Sequence, residues 1–283
     1  MKKIKIGTLI SLVGALVLLT GVSASADEFT NVGSLYDKAV SQKIIDPNLY
    51  PKAQWEQDET SKMKPAYEVF KTEVSDTTSY EEWLKINNYG VMSDTKQPLL
   101  RGKEETPMSR SAQDNINAFC RDTRAGDILV IDGDTRHGVS SMLGHAAILN
   151  ADGFVLEMSG GNPIDNNHQF TKRDWITRNI NAWTNVYRIN NRGLANQVAR
   201  YADTHFYSTT GGYNKNIHIN YGINSHLKQF NPNYCSKLVY QAYFYGSGSL
   251  PVMIDYGDRH YVAPAVLTQA FSGNYSPYRV GRY

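Results

Sequence analysis

One cysteine stands where the sequence predicts the start of a helix. Residues 231–233, Asn-Pro-Asn, are start signals just before Cys235, and Gly246 is a stop signal after it. Apolar side chains at helical spacing follow the cysteine: Leu238, Val239, Ala242 and Tyr243. A thiol on the first turn faces unpaired backbone N–H groups and the positive end of the helix dipole, which favour the nucleophilic thiolate. The alternatives are a small buried apolar residue or half of a disulfide.

A histidine and a glutamate are predicted to share one face of a β-hairpin. Two strand-like runs, residues 145–150 and 154–159, flank a three-residue turn. In that register Ala147 is opposite Glu157, and His145 is a diagonal neighbour of Glu157, about 7–8 Å away at the backbone. A carboxylate in an apolar strand is costly unless it is paired, and an imidazole is a suitable partner. The alternative is a solvated outer strand face.

Cys235, His145 and Glu157 together supply a nucleophile, a base and a group that orients the base. The base takes the thiol proton, or sits charged beside the thiolate, and the sulfur attacks a carbonyl carbon. The charged oxygen would be held by the N–H of Cys235 and one more donor. Candidates for that donor are side chains in or before the predicted helix: Tyr234, Ser236 and Tyr221. His137, in the loop before His145, is an alternative base.

The first 26 residues have the pattern of a secretory signal. A lysine-containing start precedes an apolar core over residues 6–19, and small residues at 24–26 form a cleavage site. We therefore expect a secreted, extracellular protein without stable membrane insertion, with cell-wall association as one option. The formal net charge is only +2, without a concentrated basic stripe, which argues against nucleic-acid binding.

The two cysteines of the chain, Cys120 and Cys235, allow a second interpretation. In an exported protein such a pair is first suspected of being a disulfide, and this is the main alternative to a catalytic thiol. The spacing of cysteines and histidines matches no zinc pattern. The sequence therefore predicts no metal site and no cofactor.

The remaining sequence divides into two parts by pattern. Residues 27–111 are predicted to form a mostly helical, polar N-terminal extension that ends in a linker, with no chemistry of its own. Residues 112–283 are predicted to form the domain that carries the site. Besides the hairpin, this domain has strand candidates at 126–131 and 184–190 and a helix candidate at 193–207.

Four short segments of that domain are similar in order and spacing to a known family. They are Gly-Asp-Ile-Leu at 126–129, Gly-His-Ala-Ala-Ile at 144–148, Val-Leu-Glu at 155–157 and Tyr-Cys-Ser-Lys-Leu-Val at 234–239. The set resembles the YiiX-like group, a circularly permuted branch of the NlpC-type, papain-fold cysteine hydrolases, in which the histidine precedes the cysteine. Lys237 departs from the pattern, because the family has an acidic residue there.

The resemblance covers residues 122–283 and implies a fold of the α+β class. The implied architecture is a circularly permuted papain-like, NlpC-type fold, with an antiparallel sheet packed on the cysteine helix, preceded by the mostly helical N-terminal extension. The resemblance also implies a reaction without a metal, namely hydrolysis or transfer at an amide or an ester.

Three functions compete. The first is a secreted cysteine amidase or peptidase that cleaves cell-wall peptides by a Cys-His-Glu thiolate mechanism, and the export signal favours it. The second is a lipid acyl hydrolase or acyltransferase, because permuted relatives of this fold include lecithin retinol acyltransferase-like enzymes. The third is a non-catalytic surface-binding protein with a Cys120–Cys235 disulfide. The predicted partners are accordingly a peptide, peptidoglycan or an acyl substrate.

Overall fold

The computed structural model describes residues 32–100, 111–132 and 142–283. The predicted signal peptide, residues 1–26, lies outside the described residues, and so does His137. Export from the cell and the alternative base therefore stay predictions. Residues 32–283 form one compact unit.

Helices make up most of the segment before the sheet, as its apolar periodicity predicts. They are α1 (Val32–Ser41), α2 (Lys52–Asp58), α3 (Lys64–Glu73) and α4 (Tyr80–Ile86), with a π-helical turn at Glu59–Met63 between α2 and α3. The start of α4 is fixed by a capping box, in which Ser79 accepts from the N–H of Glu82 and the Glu82 carboxylate accepts from the N–H of Ser79. A further helix, α5 (Ala112–Asp122), precedes the first strand.

The second part of the chain builds a six-stranded sheet with the order β4-β3-β2-β1-β5-β6. Its strands are β1 (Ile128–Asp132), β2 (His145–Leu149), β3 (Val155–Met158), β4 (Asn167–Phe170), β5 (Trp183–Arg188) and β6 (Tyr278–Arg282). Every pair of neighbouring strands is antiparallel. This confirms an α+β protein with an antiparallel sheet, while the permuted papain-like arrangement stays a prediction.

The predicted register of the β2–β3 hairpin is confirmed. Ile148 pairs with Leu156 and Leu149 pairs with Val155, and the N–H of Asn150 donates to the carbonyl of Phe154 at 2.9 Å. Because the side-chain period of a strand is two, this register keeps the first residue of β2 and the third residue of β3 on one face of the sheet. The hairpin thus carries His145 and Glu157 together.

Both faces of the sheet are covered, which explains why β1 reads as a continuous apolar run. Ile128 and Val130 pack into one layer with the helices α7 (Arg192–Phe206) and α8 (Cys235–Gly246). The apolar side chains of the N-terminal segment join that same layer. Leu129 and Ile131 pack into the second layer with α5 and α6 (Lys172–Arg178). The alternation of Cβ atoms along the strand sends successive residues to the two layers.

The predicted strands at the centre of the sheet and the helices α7 and α8 are confirmed, whereas β4, β6, α5 and α6 were not predicted. Within the three described ranges, no helix is both long and apolar enough to cross a membrane.

Candidate active site

Cys235 is the first residue of α8. The N-cap residue, Tyr234, has an extended backbone and makes no side-chain cap to the first turn, and the first intrahelical bond runs from Leu238 N–H to the Tyr234 carbonyl at 2.9 Å. The first-turn N–H groups and the helix dipole therefore act at the position of the sulfur. Cys235 is only 4% exposed, so this field is little screened by water.

His145, the first residue of β2, lies against Glu157 of β3. The imidazole Nε2 is 2.8 Å from Oε2 of the carboxylate, and both side chains are buried. A carboxylate at this nitrogen fixes the orientation of the ring and stabilises its charged form. The same imidazole interacts with the Cys235 thiol and lowers its pKa, and because Nε2 is held by Glu157, Nδ1 is the nitrogen available to the sulfur.

The Glu157 carboxylate accepts two more hydrogen bonds. Ser159 donates from Oγ to Oε1 at 2.8 Å, and Trp175 of α6 donates from Nε1 to Oε2 at 2.6 Å. The sequence interpretation did not include Trp175. The signal in the sequence that could have pointed to such a donor was a lone carboxylate in an apolar strand, because a buried carboxylate needs several donors around it.

The charges of Cys235 and His145 support each other. Burial favours the neutral forms, but the Glu157 carboxylate and the hydrogen bond to the sulfur outweigh it and raise the pKa of His145 above its usual range. Burial likewise opposes the thiolate, yet the hydrogen bond and charge of His145 and the N–H of Ala146 lower the pKa of Cys235. Each charge therefore favours the other, which biases the pair towards a thiolate and an imidazolium.

The pKa of Glu157 moves in the opposite direction from what burial alone would cause. Burial raises it, but the charge and hydrogen bond of His145, with the donors Trp175 and Ser159, lower it to about 2. Glu157 is consequently ionised at every pH at which the thiolate exists. Its fixed negative charge keeps the neighbouring imidazole protonated.

Two of the three predicted oxyanion donors have hydroxyl groups engaged elsewhere. The Tyr234 hydroxyl accepts from the N–H of Val262 at 3.1 Å, and the Ser236 hydroxyl donates to the Val262 carbonyl at 2.6 Å. Ser236 Oγ lies 3.9 Å from the sulfur. Tyr221 forms a parallel bridge with Asn233, two residues before the cysteine. The Ser236 hydrogen is thus already donated and the Tyr234 oxygen is held at Val262, whereas the backbone N–H groups that begin α8 stand at the sulfur itself and are the donors best placed for an oxyanion.

Lys237 is fully buried on α8 and does not extend into solvent. Its ammonium donates to Oδ1 of Asn224 and to the carbonyl of Pro232, each at 3.2 Å. Burial lowers the pKa of Lys237 to about 8. These contacts join the loop before α8 to the helix. Lys237, which departs from the YiiX-like pattern, therefore has hydrogen-bond partners within the fold.

Cys120 and Cys235 are both free thiols. Cys120 lies on α5 and packs against the second layer, whereas Cys235 is the first residue of α8. The disulfide of the binding-protein alternative is therefore absent from the structure. Burial raises the pKa of both thiols, but at Cys235 the imidazole outweighs burial and the net shift is downward, so the thiolate is favoured at Cys235 and disfavoured at Cys120.

Fold and site define an α+β protein in which one imidazole is hydrogen-bonded to a buried carboxylate and lowers the pKa of a thiol at a helix start. A family model described as "Lipoprotein N-acylation protein LnsA-like" matches residues 104–283. The chain is also 34% identical over 282 residues to an "Uncharacterized 30.3 kDa protein" of Bacillus thuringiensis, covering 97% of this chain and 98% of the relative. No solved structure matches the chain.

The chain belongs to the LnsA-like family. This family indicates an enzyme of the acyl-transfer or acyl-hydrolase kind. The finer resemblance to the YiiX-like group stays a prediction, and so does the catalytic role of Cys235, His145 and Glu157.

Proposed function

We propose that the chain is a cysteine acyltransferase, which moves an acyl group from an ester to an amine through a thioester on Cys235. The observation that carries the proposal is the Glu157–His145 hydrogen bond beside the Cys235 thiol, whose pKa the imidazole lowers, in a chain whose family is described by lipoprotein N-acylation. The acceptor proposed here is accordingly the N-terminal amine of a lipoprotein, and the donor is an acyl ester of a lipid.

In the first half-reaction the Cys235 thiolate attacks the carbonyl carbon of the donor ester. Backbone N–H groups at the start of α8 hold the negative charge that develops on the carbonyl oxygen. The C–O bond then breaks, and the His145 imidazolium gives its proton to the leaving alkoxide. A C–S bond has formed between the acyl group and Cys235, the rest of the donor has left as an alcohol, and His145 is neutral.

In the second half-reaction an amine attacks the thioester carbonyl. Neutral His145 takes a proton from the amine, the C–S bond breaks and an amide forms. This restores the thiolate and the imidazolium. Glu157 keeps its charge throughout and holds the ring in place, because its pKa lies far below the working pH. Water in place of the amine would give hydrolysis.

The proposal takes the acyl alternative over the wall-peptide amidase. Both reactions need the same thiolate chemistry, so the site alone does not choose between them. The family match favours the acyl reaction, because its description names an acylation. Export of the chain, predicted from residues 1–26, would bring the enzyme to the compartment in which surface lipoproteins meet membrane lipids.

The test is to trap the thioester. Purified protein is incubated with phosphatidylglycerol vesicles, with and without a peptide carrying an N-terminal diacylglyceryl cysteine, and intact mass is measured. We expect one acyl group on the wild type, its release by hydroxylamine, and its transfer to the peptide amine. Cys235→Ala should carry no acyl group, whereas the matched variant Cys120→Ala should behave as the wild type.

The competing activity is measured in parallel with purified muropeptides. Cleavage of muropeptides by the wild type, lost in Cys235→Ala and without any acyl-protein in the lipid reaction, would replace the acyltransferase by the wall-peptide amidase.

A further inference from the structure

The segment 32–100 shares a core with the helix that carries the thiol. Trp83, Leu84 and Tyr89 are buried in the same apolar cluster as Leu238 and Val239 of α8. The family model begins at residue 104, so this segment lies wholly before the matched region. Any contact from the segment to the site is therefore a contribution that the family match does not describe.

One such contact comes from Asn87, the residue that ends α4. Asn87 is fully buried, and its Oδ1 accepts from the N–H of Leu143 at 2.8 Å. Its Nδ2 donates to the carbonyl of Trp83 at 2.9 Å, which fixes the orientation of the carboxamide on its own helix. The Leu143 N–H lies two residues before His145, so α4 holds the backbone from which the imidazole extends.

A second contact comes from Leu99. Its methyl carbons lie 3.2 Å from where a Cβ would stand on Gly144, the residue between Leu143 and His145. Gly144 has a φ of +78°, a conformation that suits glycine, and Leu99 packs against the space that its missing side chain leaves. Leu99 is itself fixed by a hydrogen bond from its N–H to the carbonyl of Gly90 at 2.8 Å.

We propose that Asn87, supported by Leu99, is a positioning residue for His145. The two residues hold the backbone at Leu143 and Gly144, and this aims the imidazole between the Cys235 sulfur and the Glu157 carboxylate. The inference rests on the proposed function in treating His145 as the working base. A thiolate–imidazolium pair depends steeply on distance, and a misplacement of about 1 Å can cost about 100-fold in rate.

The test compares Asn87→Leu with a matched loss of a buried hydrogen bond elsewhere in the same segment. Tyr36→Phe is that control, because the Tyr36 hydroxyl donates to the Tyr50 carbonyl at 2.7 Å, away from Leu143. The readout is the rate of alkylation of Cys235 by iodoacetamide as a function of pH, in a Cys120→Ala background, with folding checked by circular dichroism. This readout needs no substrate, so it works even if the acyltransferase proposal fails.

We expect the acid limb of the alkylation profile to move to higher pH in Asn87→Leu, because a misaimed imidazolium stabilises the thiolate less. Acyl transfer, where present, should fall about 10- to 100-fold in kcat with little change in KM. Tyr36→Phe should keep the wild-type profile.

Leu99→Ala is the second variant, and it tests the positioning role if Asn87→Leu does not fold. It should move the acid limb in the same direction by a smaller amount. A wild-type alkylation profile in the folded Asn87→Leu or, failing that, in Leu99→Ala would make these residues purely structural and overturn the inference. A shifted profile without any acyl transfer would support the positioning role and count only against the proposed function.

Discussion

Glu157 in β3 and Asp203 in α7 are two carboxyl groups that are equally shielded from solvent but differ in the number of hydrogen-bond donors around them. Each residue is 1% exposed. Glu157 has hydrogen-bond contacts with His145, Ser159 and Trp175. In the part of the chain that the structure describes, neither carboxylate oxygen of Asp203 has a partner in good hydrogen-bond geometry.

The pKa values of the two groups separate accordingly. Burial raises the pKa of Asp203 to about 6, the charge of Asp152 adds to it, and the nearby Asn150 offsets it only in part. At Glu157 the same burial is outweighed by the imidazolium and the other donors, and the pKa falls to about 2. Burial by itself therefore does not mark a functional carboxylate in this protein. The set of donors around it does.

The largest expected effect comes from removing the cation beside Glu157. His145→Ala takes away the base and leaves Glu157 with two neutral donors, which makes its surroundings more like those of Asp203. We expect acyl transfer to fall at least about 1,000-fold and the free energy of unfolding at pH 7 to fall by about 3 kcal/mol. Turnover and urea unfolding measure the two effects.

The same variant should move the acid limb of Cys235 alkylation to higher pH, since the hydrogen bond and charge that lower the pKa of the thiol are lost. Full turnover in His145→Ala would assign the base to another residue, of which His137 is the first to test.

A smaller effect is expected from neutralising the carboxylate itself. Glu157→Gln keeps an oxygen for the imidazole but removes the charge that raises the pKa of His145. We expect turnover to fall about 10- to 100-fold and the alkaline limb of the pH profile to move to lower pH. The wild type should also lose stability as the pH falls from 4.5 towards 2, because a carboxyl group with a lowered folded-state pKa stabilises the fold only while ionised.

That acid-dependent loss should be reduced in Glu157→Gln, and urea midpoints between pH 2.5 and pH 6 measure it. If the alkaline limb stays in place in Glu157→Gln, the charge of Glu157 does not set the pKa of His145. The difference between Glu157 and Asp203 would then not bear on catalysis.

The smallest effect is expected at Asp203. A carboxyl group with a raised folded-state pKa contributes stability below pH 3.8, its unfolded value, and that stability is lost as the pH rises through about 6. Asp203→Asn should therefore raise the free energy of unfolding at pH 8 by about 1–2 kcal/mol, with little change at pH 4, as measured by urea unfolding. Turnover should not change. A loss of stability at pH 8 would show that the ionised carboxylate has a partner.

The sequence predicted those parts of the site that depend on local pattern. The period-two register of the hairpin placed His145 with Glu157, and the start signals before Cys235 placed the thiol on the first helical turn. Both predictions rest on residues close together in the chain, where strand and helix geometry decide the positions.

The parts that escaped prediction are contacts between distant segments. Trp175 lies on a seven-residue helix whose other residues are mostly polar, so its apolar pattern is weak, and only the fold brings the indole to Glu157. Asn87 ends α4 and reaches a backbone N–H 56 residues further along the chain. Strand β6 pairs with β5 from the far end of the sequence. Local propensity carries no information about such pairings.

The free state of the two cysteines determines what an oxidant can do to this protein. Cys120 and Cys235 are the two cysteines of the chain and are not bonded to each other in the structure, so a sulfenic acid formed on Cys235 starts without a disulfide partner. Because burial raises the pKa of Cys120, reversible capping of the Cys235 sulfur falls chiefly to a small thiol or another molecule. Without such a molecule, further oxidation to the sulfinic state would inactivate the enzyme irreversibly.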